Sequence, residues 1–475
     1  MGITNDMNAK DLADFGVEYA QENGAEYAEA RLIDGQRVML FLRNGNVMSG
    51  TELPWQGMGI RVLMNGGLGF VSVDEMTRKT VKKAIQAGLK LAKGSNPDEK
   101  INLGEPISNK ASWSVPVKKK LADQDTEVVI GLLQDMDKIA EANGIATRVT
   151  MYEAHDYSKY VTTSEGTQID ADLSLLKYHG LLTAKGLLDS EQRFIDLTRS
   201  TGWEGSHTWL EEFENECKQI KKVAEQSDYS LKGAVDFVVG PEVVGIICHE
   251  NCGHPSEGDR IMGREGAQAG ESFWRDLKLG ESRVGSEHVT IAEDPTLQGT
   301  AGFYLYDDEG VKARERLLVR NGVINEPLLN REYGAKFGIG SNGASRSSDF
   351  NREPIIRMAN TYMKSGDYSF DELVEDVKHG IYMLSFTEWN IDDRRYQSKY
   401  VGFECYLIQN GEITETMVRR PTMELTSIGL FSSIDAVGNE LALNFPATCG
   451  KSDPGQGAPV NAGGASIRMR DIRLG

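Results

Sequence analysis

Asparagine followed by glycine recurs between apolar, alternating runs, and no other local feature constrains the chain as tightly. The pair stands at Asn44-Gly45 in RVMLFLRNGNVMSG (37–50) and at Asn65-Gly66-Gly67 in IRVLMNGGLGFVSV (60–73). It returns in LLVRNGVINEP (317–327) and in ECYLIQNGEITETM (404–417). A two-residue hairpin turn whose twist matches its strands needs positive φ at both central residues, and Asn and Gly tolerate that best. Antiparallel strands are therefore expected around each turn, in both halves of the chain. The four share a hairpin grammar but no fixed period, so they do not indicate a repeat architecture.

Between the hairpins the hydrophobic period changes. Residues 9–30 and 125–144 read as helices, and TRKTVKKAIQAGLKLAKG (77–94) has helical spacing with a glycine stop. Strands are expected at 145–152 and 158–171, followed by a polar, charged helical stretch at 190–227, either one helix or two broken near Thr201-Gly202. Pro241 and Glu242 follow an apolar strand and carry helix-start chemistry. Short strands and glycine-rich loops dominate from 285 onward, with one helix near 370–380. A chain of 475 residues exceeds one ordinary core. The expected class is α+β: an N-terminal layered α/β domain (1–185), a helical connecting region (186–230) and a strand-rich, barrel-like domain (231–475).

The formal net charge of −19 opposes binding to phosphate backbones and anionic lipid, and no basic, aromatic-interleaved segment offsets it. The longest apolar stretches, such as VVGIIC (243–248), are too short to span a bilayer. The opening MGITNDMNAKDLADFG has neither the basic region nor the apolar run of a signal peptide. The expectation is cytoplasmic, without nucleic-acid or membrane partners. Five irregularly spaced cysteines are too sparse for a disulfide framework, so reduced thiols, and a thiolate metal ligand, are permissible. The glycine-rich 57–69 segment has no G-x-G-x-x-G leading into a helix and reads as strand, which excludes a dinucleotide or phosphate loop.

CHENCGH (248–254) packs two histidines, two cysteines and a glutamate into seven positions. His249 and His254 are five apart and point about 140° from one another on an ideal α-helix. They converge only if the helix ends or distorts between them, and Gly253 is where that could happen. The HExxH pattern is absent, and a capped helix end whose histidines satisfy carbonyls stays open as an alternative. Cys248 and Cys252, spaced C-x3-C beside an apolar run, read as buried structural cysteines. Catalytic zinc usually takes three protein ligands. Further donors are Glu257, Asp259, His288, Asp307, Asp308, Glu309 and Cys449, the last where an apolar strand is expected to end in Thr-Cys-Gly ahead of a glycine-rich loop in ALNFPATCGKSDPGQG (442–457). YDDEG (306–310) is either an acidic turn or a substrate contact. Arg357, Asn360 and Thr361 could hydrogen-bond an extended peptide backbone or satisfy their own strand or loop.

Taken in order, these motifs resemble the TldD/PmbA family of zinc metallopeptidases, on its TldD side. The resemblance rests on His249-Glu250-Asn251-Cys252-Gly253-His254 as HExxxH, Glu257-Gly258-Asp259, Asp307-Asp308-Glu309-Gly310, Arg357-Met358 with Asn360-Thr361, and Cys449-Gly450-Lys451. LRNGNVMSG and GMGIRVLMNGGLGFVSV extend it to nearly full length. It implies Zn2+ held by His249, His254 and Cys449, with Glu250 as the catalytic carboxylate. It also implies a protected chamber and a dimer, either with a second copy or with a PmbA-like subunit. Glu257 and Asp259 are candidates to orient a ligand imidazole, and Asp307, Asp308, Arg357, Asn360 and Thr361 to contact substrate. The expected function is a zinc-dependent peptidase of small or unfolded polypeptides. A zinc amidohydrolase of a non-protein substrate and a non-catalytic, peptide-binding or partner-stabilising subunit are the alternatives.

Overall fold

The four Asn-Gly turns set between alternating runs all close hairpins. Asn44, Asn65, Asn321 and Asn410 each have positive φ, as do Gly45, Gly66, Gly322 and Gly411. The computed structural model describes residues 8–95, 97, 99–265 and 270–475. The start of the opening segment, up to Met7, lies outside the described residues.

The first sheet has seven strands: β1 (Tyr27–Arg43), β2 (Asn46–Met64), β3 (Gly67–Val73), β4 (Lys110–Ser114), β5 (Ile145–Thr163), β6 (Gln168–Lys185) and β7 (Ser190–Asp196). Their order is β3-β2-β1-β5-β6-β4, with β7 also paired to β6. Helix α1 (Ala9–Glu22) and α2 (Arg78–Ser95) bury Val17, Ala20, Ile85 and Leu89 in one core with β1 and β2. Helix α3 (Thr126–Ala142) and α4 (Trp209–Gln226) share a second core with β5 and β6, built on Leu133, Tyr178, Trp209 and Phe213.

Three sequence expectations change here. The 9–30 helix stops at Glu22, because Asn23 caps it and Gly24 takes φ 94°. The Ala- and Glu-rich stretch beyond is helix-prone, yet Tyr27 onward pairs with β2 and β5 on both edges, and tertiary pairing overrides propensity. The strands expected at 145–152 and 158–171 are a single β5 followed by β6, since the polar residues between them stay in register with β1. The region 186–230 is not wholly helical: 190–196 is β7, continuing the first sheet. Its inward face carries Glu191 and Arg193, which hid the strand period. Both are buried because they are paired, Arg193 with Glu242 and Glu216, Glu191 with Arg420.

The second half is built on a ten-stranded sheet. In chain order the strands are β8 (Ala234–Val239), β9 (Ile291–Glu293), β10 (Arg316–Arg320), β11 (Val323–Ile324), the short pair β12 (Ser345–Arg346) and β13 (Ile355–Ile356), and β14 (Asn360–Met363). Next come β15 (His379–Met383), β16 (Phe386–Ile391), β17 (Gln397–Gly402), β18 (Cys405–Gln409), β19 (Glu412–Met417), β20 (Thr422–Thr426), β21 (Ile434–Lys451) and β22 (Gln456–Arg473). The large sheet runs β11-β10-β9-β14-β22-β8-β15-β18-β19, with β21 on β22; β16-β17-β20 form a separate three-stranded sheet. Its largest core cluster takes in helix α5 (Pro241–Cys248), whose Val243, Val244, Ile246 and Ile247 are buried. Each such side chain contributes roughly 1.5–3 kcal/mol. Gly245 permits the contact with β22, since a Cβ there would lie 2.6 Å from the Gly463 nitrogen. No helix among the described residues is long and apolar enough to cross a membrane.

The two sheets meet along a polar seam. Arg61 on β2 bridges Glu29 at 2.8 Å and Glu309 at 2.6 Å, all three buried. Lys159 on β5 meets Asp308 at 2.6 Å, and Trp55 Nε1 donates to Asp349 at 2.7 Å. Gly57 and Gly59 make room for Phe350, whose ring or carbonyl would lie within 2.4 Å of an added Cβ at either position.

Candidate metal centre

Helix α5 begins at Pro241 behind Gly240, as its sequence requires, and is regular to Cys248. From His249 to Gly253 the coil widens into a π turn, and the His254 amide donates to the His249 carbonyl. An i→i+5 bond stacks residues five apart on one side, which an α-helix cannot do. The two imidazoles consequently face each other, with ring centroids 4.8 Å apart at 81°. Gly253 keeps an ordinary right-handed φ of −58°, so it is not needed for backbone freedom. It is needed for space: a Cβ would come within 2.1 Å of Met358 Sδ. Asn251 anchors the turn by donating to Ser398 Oγ at 3.0 Å and Ser427 Oγ at 2.8 Å and accepting from the Tyr400 hydroxyl.

Cys449 arrives from the other end of the chain. It is not at a strand break: β21 continues to Lys451, and Cys449 pairs with Ala458 of β22. Its Sγ lies 3.4 Å from His254 Nε2. One donor atom from each of His249, His254 and Cys449 lies within 4.8 Å of the others, and all three residues are buried. Burial pushes the Cys449 thiol up, but His254 and Arg357 together hold it below its ordinary value. Burial also lowers His249, against Glu250 and Glu257, which favours the neutral imidazole that a metal requires. Cys248 and Cys252 are fully buried and their thiols are raised by desolvation, in keeping with a packing role.

Glu257 lies 3.0 Å from His254 Nδ1 and fixes the imidazole with Nε2 toward Cys449. Burial would raise this carboxylate, yet Lys451, His254 and Arg260 hold it well below its usual range. Asp259 does not reach a histidine; it accepts from Lys451 Nζ at 2.8 Å and so steadies the cation that faces Glu257. Glu250 accepts from Trp389 Nε1 at 3.1 Å and from Arg395 Nη1 at 2.7 Å. Desolvation raises its carboxyl, and the two histidines and Arg395 outweigh that.

His249, Glu250, His254, Arg395 and Cys449 line a cavity of about 310 Å3 with Phe386, Trp389 and Phe445 on its walls. A neighbouring cleft of about 690 Å3 shares Arg193, Phe194, Asp196, Phe445 and Pro446 with it. The first sheet contributes His179 to the same cavity, buried 2.9 Å from Asp196, its partner across β6 and β7. Sequence reasoning missed His179, Asp196, Trp389 and Arg395. A lone histidine in a strand of the first half carries no spacing signal toward a motif in the second.

The expected substrate contacts fall elsewhere. Arg357 donates to the carbonyls of Gln456 and Cys449, so it shapes the cysteine hairpin. Asn360 donates to the Asp294 carbonyl and accepts from the Gly302 amide at 3.2 Å, and Thr361 is fully buried on β14. Asp307 accepts from the amides of Glu309, Val311 and Ser345. Asp308 and Glu309 serve the seam. His288 does not line the histidine cavity, and neither do these six.

Residues 232–475 match the family described as "PmbA/TldA metallopeptidase C-terminal domain", and residues 28–92 match "PmbA/TldA metallopeptidase domain 1". The chain is 31% identical over 461 residues, 96% of each chain, to a protein of Methanothermobacter thermautotrophicus named Metalloprotease. It is 26% identical over 470 residues to the "Zinc metalloprotease TldD homolog" of Saccharolobus solfataricus, covering 97% of this chain and 98% of that one. In fold it superposes on the crystal structure of TldE from Thermococcus kodakarensis with a TM-score of 0.76 at 16% identity, over 98% of this chain and 100% of that one.

Proposed function

The chain belongs to the PmbA/TldD metallopeptidase family, and from that premise we propose that it is a zinc-dependent peptidase acting on small or unfolded polypeptides. One observation carries the reading: two imidazoles and a low-lying thiol converge within 4.8 Å, in a cavity that also holds the carboxylate of Glu250. The donor set fits zinc, which favours nitrogen and sulfur ligands in a tetrahedral arrangement with one position open in catalytic sites. His249, His254 and Cys449 would hold it, and Zn2+ supplies acidification of water and polarisation of a carbonyl.

The remaining chemistry belongs to side chains. Glu257 keeps His254 in the tautomer that frees Nε2, the usual carboxylate support of a ligand histidine. Glu250 is the general base: it takes a proton from the attacking water and returns it to the departing amine. Trp389 and Arg395 hold that carboxylate at its cavity-facing position. Phe386 and Phe445 give the cavity apolar walls, which strengthens the charge interactions beside them, while Trp389 keeps an exposed face. The adjoining cleft supplies room for an extended chain rather than a compact ligand, which favours a polypeptide substrate. A second copy or a PmbA-like subunit completes the proposed assembly.

The test is zinc content per chain together with cleavage of an unstructured polypeptide. Near-stoichiometric zinc is expected in the parent and a large loss in Cys449→Ala. Glu250→Gln is expected to keep its zinc and lose about 10²–10⁴-fold in kcat. Full zinc in Cys449→Ala would remove the cysteine from the ligand set, and an active Glu250→Gln would remove the assigned base.

A further inference from the structure

A second cavity, of about 140 Å3, opens in the seam between the two sheets. Its walls are aromatic: Trp55, Trp113 and Tyr157 from the first half, Phe303 and Tyr304 from the second. Four long cationic side chains also line it. Three of these meet their own carboxylates: Lys159 with Asp308 at 2.6 Å, Lys177 with Glu153 at 3.0 Å, and Arg37 with Asp349 at 3.3 Å. Arg346 is the exception. Its Nη1 donates to the carbonyls of Met358 at 2.7 Å and Pro459 at 2.9 Å, and its guanidinium lies 5.2 Å from the Tyr304 ring centre. Among the described residues it has no carboxylate within ion-pair distance, and its Nε and Nη2 have no hydrogen-bond partner.

Arg346 is half-buried, and although Asp308 on the same wall and Glu293 act on it from beyond ion-pair distance, its Nε and Nη2 stay open to an anion. A buried donor without an acceptor costs about 1–3 kcal/mol. The indole Nε1 of Trp113, on the same wall, is such a donor: it is buried and unpartnered. A single carboxylate would relieve both. The volume sets the rest of the ligand, since a cavity of about 150 Å3 accommodates benzene. We propose that the seam cavity binds a small carboxylate bearing one aromatic or branched aliphatic group, with Arg346 as counter-ion and Trp113 as second donor. Such a group occurs in a free aryl or alkyl acid and in the C-terminal residue of a peptide. The site stands apart from the metal reading, although Thr448 lines both cavities, one residue from Cys449.

Isothermal titration of the full-length protein with phenylacetate, N-acetyl-phenylalanine and the neutral N-acetyl-phenylalanine amide tests it, in zinc-loaded protein and again with EDTA. Saturable one-site binding of an acid is expected under both conditions, with the amide at least about tenfold weaker, as loss of a charge-assisted bond demands. Arg346→Gln should weaken the acid by about tenfold or more and Trp113→Phe by about threefold to tenfold. Phenylacetate as the tighter ligand assigns free acids, N-acetyl-phenylalanine as the tighter assigns a peptide C-terminus. Should Arg346→Gln fail to fold, Trp113→Phe decides, since it removes only the indole N–H and part of a ring. The proposal is overturned if neither acid binds, if the amide binds as well, if EDTA abolishes binding, or if affinity survives in the variants.

Discussion

The histidine turn at 249–254 and the acidic block at 307–309 are both dense in potential metal and substrate groups, and the fold uses them in opposite ways. In the acidic block every carboxylate has been taken by structure: Asp307 by three amides, Asp308 by Lys159 and Ser347, Glu309 by Arg61 and the Arg331 amide. In the histidine turn the partners are arranged behind the donors, with Glu257 on the far nitrogen of His254, so that the near atoms face a cavity. A cluster of polar residues is therefore not a site by virtue of composition. What separates the two is whether the fold leaves donor atoms uncommitted.

Removing one member of the seam should have the largest effect. Arg61→Met leaves Glu29 and Glu309 buried without their cation and should cost about 3–5 kcal/mol in chemical denaturation. Zinc per folded chain should stay that of the parent; a matching loss of metal would mean that the two regions are coupled after all. On the other side, Glu257→Gln should leave the three proposed ligands in place but weaken zinc binding by about 10–100-fold in a chelator competition. Unchanged affinity would show that Arg260 or Lys451, not the histidine, is what Glu257 serves.

A smaller effect separates the regions by pH. Burial alone would raise Asp308, yet Lys159 and Arg31 bring its carboxyl down to about 2. A depressed pKa stabilises the fold above the unfolded value near 4, and that contribution is lost as pH falls toward 2. It is worth about 2 kcal/mol when complete. Asp308→Asn should be less stable than the parent by about that amount at pH 6, and the difference should close between pH 4 and 2. A gap that persists at the acid end would assign the loss to the Ser347 hydrogen bonds instead.

Legibility in the sequence followed the range over which each signal acts. The hairpin turns, the start of α5 and helices α2 and α3 were readable because their causes lie within a few residues: positive φ, a proline at the first helical position, a glycine stop. Strand β7 was not, because Glu191 and Arg193 occupy its inward face and are acceptable there only through partners over 20 residues away or more. Arg357 and Asn360 looked like substrate contacts for the converse reason, as their backbone partners are invisible until the sheet is assembled. Only family resemblance groups His249, His254 and Cys449 at the level of sequence. Spacing by itself argued against the histidines, and only the π turn removes that objection.

The sequence by itself determined the local vocabulary of this protein: where the chain turns, where α5 begins, and that its thiols and imidazoles are present without a disulfide framework. Tertiary structure decided which of them meet. Cys449 reaches His254 across 195 residues only because β21 pairs with β22 and β22 packs on α5. Local preference fixes dihedral angles over a few residues, whereas bringing distant donors together costs chain entropy that only the packed sheet and helix offset.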